Sequence, residues 1–379
     1  MARPVKVVYI IDNLRIGGAQ QVFDYLIANL PTERFEPTLI NLRRDTDMAI
    51  ELRASGVDVR SLGLSKFSPG AVPALRSAIR EIEPDIVHTN LDFSNTFAAG
   101  AALAEGVPVV IRHDQSGCLS RGRSYFIKRA LAERLVGAGA HTIAISENVK
   151  AFNKAIGVDP ATVTVIHNGV DPDRFAPAPG AIVAGLPDGP KIGFVGRIIR
   201  RKGLQYLVEA APRILARVPE ARFIVIGDGP RRRKIERQVN AAGLASSFVF
   251  LGYQQDTTAF YAAFDVIVVP STFEPFGLVT IEAMATGRPV VASAVDGIAE
   301  IIEDNISGLL TPPGDSRQLA DKILRLLLDP QLAADIGDRA RVRVTDFFST
   351  QAACRQIVEL YERLLVAGQG RVAVGREID

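Results

Sequence analysis

Two cysteines, Cys118 and Cys354, are all that the 379 residues supply, and their separation fits neither a redox motif nor a metal-ligand pair. That scarcity suits a reducing compartment. An excess of one charge is missing too: 44 Lys and Arg oppose 42 Asp and Glu, a net +2, so no global field calls for nucleic acid as a partner. No apolar run approaches the roughly 18–20 residues of a membrane span. The opening "MARPVKVVYIID" holds too short an apolar stretch for a signal peptide, so a cytoplasmic protein is the simplest expectation. What is present is an ordinary soluble composition, 47% hydrophobic and 23% charged. The length exceeds what one hydrophobic core usually holds and predicts two domains.

Short apolar runs alternate with amphipathic segments along nearly the whole chain. In the first half the strand candidates are "VKVVYII", "PTLIN", "VDVRSL", "PDIVHT", "VPVVIRH", "HTIAIS" and "VTVIH". Between them the pattern is helical, as where Val22, Phe23, Leu26, Ile27 and Leu30 form one stripe. A break follows over 168–191, where five prolines with interspersed glycines leave no sustained period, the composition of a connection. Alternation restarts with "KIGFVG", "ARFIVIG", "FVFLG", "DVIVVPS", "RPVVAS" and "SGLL". The chain closes on a helix near 350–366, striped by Ile357, Leu360, Tyr361, Leu364 and Leu365, and a tail with little to bury. Strand–helix alternation with few hairpin signals predicts an α/β fold of two Rossmann-like, doubly wound parallel-sheet domains facing each other across a cleft. The expected division is 1–172, a linker over 173–190, a second domain over 191–349, and a terminal helix and tail over 350–379.

Ligands of such sheets sit outside the carboxyl ends of the strands, so function is sought there. The first strand ends in "DNLRIGGAQ", where Gly17-Gly18 either opens a helix whose free N–H groups attract anions or makes a plain tight turn. It matches neither the dinucleotide fingerprint nor the P-loop. His88, His113 and His167 each fall at or near a strand's carboxyl end, pointing toward the cleft. No spacing supports a metal site, and a lone histidine is more often a hydrogen-bonded structural residue. His113, in "VVIRHDQSG", is the functional candidate because a glycine-containing loop follows it. In "IGDGPRRRKIERQV", Gly227 and Gly229 are candidates to line a site, while Arg231–Lys234 read as a water-facing run.

"VGRIIRRKG" places Arg197, Arg200, Arg201 and Lys202 just before a helix that starts near Gly203. Cations there oppose the helix dipole at a cost of about 0.3–1 kcal/mol each. An anionic ligand resolves the conflict, with Arg gripping phosphate bidentately and Lys supplying a point charge. The segment "FEPFGLVTIEAMATGRPVVAS" carries Glu274 and Glu282 in otherwise core-like surroundings. Pro275 and Gly277 bracket a loop, and a helix begins near Leu278, leaving the N–H groups of Phe276, Gly277 and Leu278 free for an anion. Glu282 lies just over one turn into the helix and tilts back toward its start, while Glu274 stands ahead of it. One loop thus offers phosphate donors flanked by two hydroxyl acceptors. A sugar nucleotide has that order of groups: ribose, diphosphate, hexose.

With these residues in place the sequence resembles the retaining glycosyltransferases of family 4, which have the GT-B fold. The matching pieces are Glu274 and Glu282 in "EPFGLVTIEAMATGRPVVAS", Arg197 and Lys202 in "VGRIIRRKG", Gly17-Gly18 in "IGGAQ", and the linker "HNGVD". The resemblance implies an acceptor-side first domain, a nucleotide-sugar-binding second domain, and a terminal helix crossing back to the first. It implies that Glu274 bonds the hydroxyls of the donor sugar and Glu282 the ribose. Arg197 and Lys202 would neutralise the departing diphosphate, the glycine turn at 17–18 and the amides of Phe276, Gly277 and Leu278 would complete the phosphate cradle, and His113 would contact the sugar near the reacting carbon. No metal and no cofactor beyond the sugar-nucleotide donor is implied. Asp45 and Asp47 in "RRDTDM" resemble the metal-binding triplet of some sugar transferases, but lie in a charged loop and read as surface.

The resemblance implies a carbohydrate or glycolipid acceptor. Residues 119–140 mix Arg121, Arg123, Lys128, Arg129 and Arg134 with Tyr125, Phe126, Ile127, Leu131 and Leu135. Such a basic amphipathic segment suits peripheral contact with an anionic membrane and a lipid-linked acceptor; a helix packed on its own sheet with a solvated basic face explains it equally well. The alternatives to hexosyl transfer are a sugar-nucleotide epimerase of the same fold and a silent nucleotide-sugar-binding module.

Overall fold

The apolar runs become strands because both of their faces are covered. In β1 (Val5–Ile11), Val7, Tyr9 and Ile11 enter one apolar cluster, and Val8 and Ile10 enter another on the opposite side. The structure, a computed structural model, describes residues 3–14, 18–64, 68, 70–117, 123–136, 139–178, 183 and 185–375. Gly17, Cys118 and residues 119–122 of the basic segment lie outside them. By contacts the chain divides into two units, Met1–Asn168 with Thr350–Asp379, and Gly169–Ser349.

In the first unit β1 is followed by α1 (Gly18–Ala28), β2 (Phe35–Asn41), α2 (Asp47–Ala54), β3 (Asp58–Ser61), α3 (Ala71–Ile82) and β4 (Ile86–Asn90). A π-helical turn at Ser94–Ala98 leads into α4 (Ala99–Ala104), β5 (Val109–Asp114), α5 (Arg123–Val136), β6 (His141–Ala144), α6 (Glu147–Ala155) and β7 (Val163–Val165). Among the described residues the sheet has seven parallel strands in the order β3-β2-β1-β4-β5-β6-β7. The second unit runs β8 (Lys191–Val195), α7 (Leu204–Leu215), β9 (Arg222–Ile226), α8 (Arg232–Ala241), β10 (Phe248–Gly252), α9 (Thr258–Ala263) and β11 (Val266–Val269). It continues with α10 (Leu278–Ala285), β12 (Val290–Ser293), α11 (Ile298–Ile301), β13 (Leu309–Thr311), α12 (Ser316–Leu328) and α13 (Pro330–Phe347). Its described sheet has six parallel strands ordered β10-β9-β8-β11-β12-β13.

Both sheets are therefore doubly wound, as the alternation predicts, and every strand run read from the sequence contains a strand. Each sheet reverses direction beside its first strand, between β1 and β4 and between β8 and β11. Carboxyl ends at such a reversal splay apart and leave room for a ligand.

The last helix, α14 (Thr350–Gly375), belongs to the first unit. Its apolar stripe of Cys354, Ile357, Leu360 and Tyr361 joins the cluster built on Val7, Tyr9 and Ile11. Within that apolar seat lies a short polar chain. His88 Nδ1 lies 2.5 Å from the Tyr361 hydroxyl, which donates to the Tyr9 hydroxyl at 3.3 Å. All three side chains are fully buried. Tyr361→Phe would leave a buried imidazole N–H without an acceptor, and we expect it to lower unfolding free energy by about 1–3 kcal/mol. A denaturant midpoint that does not move would refute that accounting.

The same burial makes the first unit sensitive to acid. It pushes the His113 imidazole down to about 3 and that of His88 well below its usual value. Unfolded, each binds a proton near pH 6.5 or so; folded, each stays neutral. Their contribution is complete above that unfolded value and is lost as pH falls below it, because the unfolded chain then binds more protons. Apparent melting temperature should fall between about pH 7 and pH 5, and fall less in His113→Gln.

Candidate functional site

The site in the second unit is assembled by the loops that leave β8 and β11 at the sheet reversal. After β8 the chain passes Arg197 and forms a 3-10 turn, Arg200–Lys202, that ends at Gly203 with φ of 73°. A Cβ on Gly203 would lie 1.7 Å from the Pro270 carbonyl oxygen. Only glycine fits such an approach in that conformation. The Thr272 N–H then donates to the Arg201 carbonyl at 2.8 Å, so the cationic turn is fastened to the loop that leaves β11.

That fastening brings Lys202 onto Glu274. The ammonium bonds the carboxylate Oε2, and both side chains are nearly buried, at 16% and 11% exposure. Arg201 stands 4.0 Å from the other oxygen, its guanidinium lying over the Phe273 ring. The Glu274 backbone is held from the opposite side by the turn after β12, its N–H donating to Asp296 at 2.9 Å and its carbonyl accepting from Gly297 at 3.1 Å. Arg197 is exposed, and its side chain has no hydrogen-bond or ionic partner among the described residues.

Gly277, with φ of 119°, caps α10, and the N–H groups of Gly277 and Leu278 have no acceptor among the described residues. Phe276 is buried, its ring 6.1 Å from that of Phe348. The buried hydroxyls of Thr280, in the first turn of α10, and of Ser271, just after β11, have no partner among the described residues. Glu282 accepts a 2.7 Å hydrogen bond from the Tyr261 hydroxyl. Burial raises the Glu282 carboxyl above its usual range, and the Tyr261 bond offsets this only in part. The site thus holds one carboxylate matched by cations, one bonded to a neutral hydroxyl, and free backbone donors at a helix start.

Of the sequence-predicted residues, Lys202 and Glu274 are brought together, Glu282 lies on α10, which follows the Glu274 loop, and Arg197 stands without a contact. Gly18 begins α1 and His113 ends its ring in the interior of the first unit. The His113 ring stacks on His88 at 5.3 Å, and neither of its nitrogens has a partner among the described residues. His88 proves to be the partner of Tyr361. Asp45 pairs with Arg53 at the surface, which holds its carboxyl down to about 2. Gly227 and Gly229 would each drive a Cβ into a backbone carbonyl, of Gly196 and Ile198 respectively, so they serve close packing of adjacent turns. Arg129 does not face water with the other basic residues of α5: it is buried on Asp92 and Asp114. Tyr261 and Asp296 were missed. "VDGIAE" after the "VVAS" strand carried the turn signal for Asp296; Tyr261 gave none.

Comparison with known proteins identifies the family. Residues 16–174 match the model of "Glycosyltransferase Family 4", and residues 189–329 that of "Glycosyl transferases group 1". The 2-deoxystreptamine glucosyltransferase of Streptomyces kanamyceticus is 35% identical over 55% of this chain, a match that spans only 57% of that relative's length. The phosphatidyl-myo-inositol mannosyltransferase of Mycolicibacterium smegmatis is 31% identical over 81% of this chain and 78% of its own. The structure of Anabaena HepE in complex with UDP-glucose superposes with a TM-score of 0.83 at 24% identity, covering 94% of this chain and 99% of that one. The chain belongs to glycosyltransferase family 4 and has the GT-B fold.

Proposed function

We propose that the chain is a retaining glycosyltransferase that moves a hexose from a nucleoside-diphosphate sugar to a hydroxyl of a carbohydrate or lipid-linked acceptor, with no metal required. The observation that carries this reading is the Lys202 ammonium seated on Glu274 beside the start of α10. In the reaction the bond from the anomeric carbon to the diphosphate oxygen breaks while the acceptor oxygen bonds from the same face and gives its proton to the departing diphosphate. Charge grows on the diphosphate, and fixed donors aimed at it are worth most where water is excluded. Lys202, Arg197 and the amides of Gly277 and Leu278 take that role. Glu274, released from Lys202 as the ammonium turns to phosphate, accepts from the sugar hydroxyls, and Glu282 accepts from the ribose. His113, and the glycine turn at 17–18, are the groups of the first unit assigned to the donor. Relatives named as a glucosyltransferase and a mannosyltransferase support hexosyl transfer over epimerisation.

A panel of UDP-, GDP- and ADP-sugars, with and without EDTA, tests this directly through release of nucleoside diphosphate. Glu274→Ala, Lys202→Ala and Arg197→Ala should each reduce turnover by about 10²–10³-fold with little change in melting temperature. Near-normal turnover in purified Glu274→Ala would sink the site assignment, and an altered free sugar without transfer would indicate an epimerase.

We further propose peripheral contact with an anionic membrane through α5. Among the described residues no helix is long and apolar enough to cross a membrane. On α5, Ile127 and Leu131 are 56% and 59% exposed, four residues apart, with Arg123 and Arg134 exposed on the same face. Ile127→Glu with Leu131→Glu should abolish sedimentation with phosphatidylglycerol vesicles at low salt. Wild-type protein that stays in the supernatant would remove this contact.

A further inference from the structure

The inward face of α5 bears on the reaction as well, and it points to a residue outside the site so far described. Tyr125, Arg129 and Glu133 recur every four residues and so form one stripe. Arg129 bridges two carboxylates, donating to Asp92 at 2.7 Å and to Asp114 at 2.8 Å. Glu133 accepts from Arg112 at 2.5 Å. Tyr125 lies 3.0 Å from the Ser116 hydroxyl, which donates to Asp92 at 2.8 Å. Arg112 and Asp114 flank His113 on β5, and alternation along a strand sends them to the side opposite its ring. The stripe therefore holds both neighbours of His113 from beneath.

Asp114 is the more tightly fixed of the two. It is 1% exposed, and it accepts from Ser116 N–H at 3.1 Å, Gly117 N–H at 2.9 Å and Asn153 at 2.9 Å in addition to Arg129. A Cβ on Gly117 would come 2.6 Å from its carboxylate and 2.7 Å from Phe152, so the loop closes over Asp114 only with glycine there. The His113 carbonyl is fixed separately by Asn95, at 2.9 Å. The His113 ring nitrogens have no hydrogen-bond partner among the described residues, and the ring stacks on that of His88. Its placement follows the β5 backbone, which pairs with β4 and β6 and whose flanking side chains, Arg112 and Asp114, the ionic clamp holds.

We propose that Arg129 is a positioning residue for His113, acting through Asp114 with Asp92 as the second anchor of its fork. The inference rests on the role in transfer assigned to His113. Arg129→Lys keeps a positive charge beside Asp114 but lacks the planar fork that spans both carboxylates. It should lower kcat by about tenfold to a hundredfold, the scale of a misplacement near 1 Å, with the affinity for nucleoside diphosphate unchanged. Asp92→Asn, at a half-exposed side chain, should act in the same direction and is the variant to use if Arg129→Lys does not fold. In a His113→Asn background either substitution should have no further effect on kcat. With ring-labelled histidine, the His113 resonances should shift in Arg129→Lys in the absence of any donor. Unchanged ring resonances, or losses in kcat that multiply with His113→Asn, would overturn the proposal. Wild-type protein that releases no nucleoside diphosphate would defeat the transfer reading instead, and the ring resonances would still decide the positioning.

Discussion

The Pro270 carbonyl occupies the space a side chain at residue 203 would need, and the placement of the cations around Glu274 follows from that contact. Because Gly203 lets the turn after β8 press against the exit of β11, the Thr272 N–H reaches Arg201 and the Lys202 ammonium reaches Glu274. A bulkier residue would have to lift the turn, and the cations would lose their acid. The pair is not a surface decoration. Exposed ion pairs contribute about 0–1 kcal/mol, whereas breaking a buried pair by removing one partner costs about 3–5 kcal/mol. At 16% and 11% exposure this pair lies toward the buried limit, with one difference. Arg201, 4.0 Å from Glu274, still opposes its charge if Lys202 leaves, so the acid is never wholly unmatched.

That redundancy bears on how a site can hold a charged pair and still exchange partners. An ammonium locked in a dry pocket by a single carboxylate would be costly to extract for a phosphate. Here the carboxylate keeps a second cation, and Arg201 is itself supported by the Phe273 ring. Under the proposed function, Lys202 would turn from carboxylate to phosphate while Glu274 keeps Arg201 as an opposite neighbour. The peptide framework need not move for this. The Glu274 backbone is fixed by Asp296 and Gly297, so the exchange is confined to side-chain torsions.

The strand runs and the two candidate acids were legible because their signals are local. β-branched runs such as "DVIVVPS" announce strands buried on both faces, and the E-x7-E segment carries its own helix start. What stayed hidden was the sorting of neighbouring charges between faces. Lys128 and Arg129 are adjacent in the sequence, but successive helical residues diverge by about 100°, and only Arg129 finds carboxylates beneath it. Nothing local marks Asp92 and Asp114 as its partners, 37 and 15 residues away. The Tyr361–His88 bond spans 273 residues. The apolar stripe of α14 could be read, but not the polar chain on which it is seated.

The two acids of α10 and its approach loop end in different electrostatic surroundings despite their short separation. Glu274 faces two cations, so its charge is neutralised by charge. Glu282 accepts from the Tyr261 hydroxyl, and its largest influence is burial, which disfavours ionisation and which the charges of Arg174 and Lys202 offset only in part. A buried carboxyl with one oxygen already bonded gains by taking a neutral donor on the other, because a hydroxyl supplies a hydrogen bond without bringing a charge that must be desolvated. Glu274 sits where charge is already matched and can accept from neutral groups only by yielding its lysine. Under the proposed function, recognition at Glu282 would therefore be additive to the unliganded fold, whereas recognition at Glu274 would be an exchange. The exchange frees the Lys202 ammonium where the proposed reaction develops negative charge.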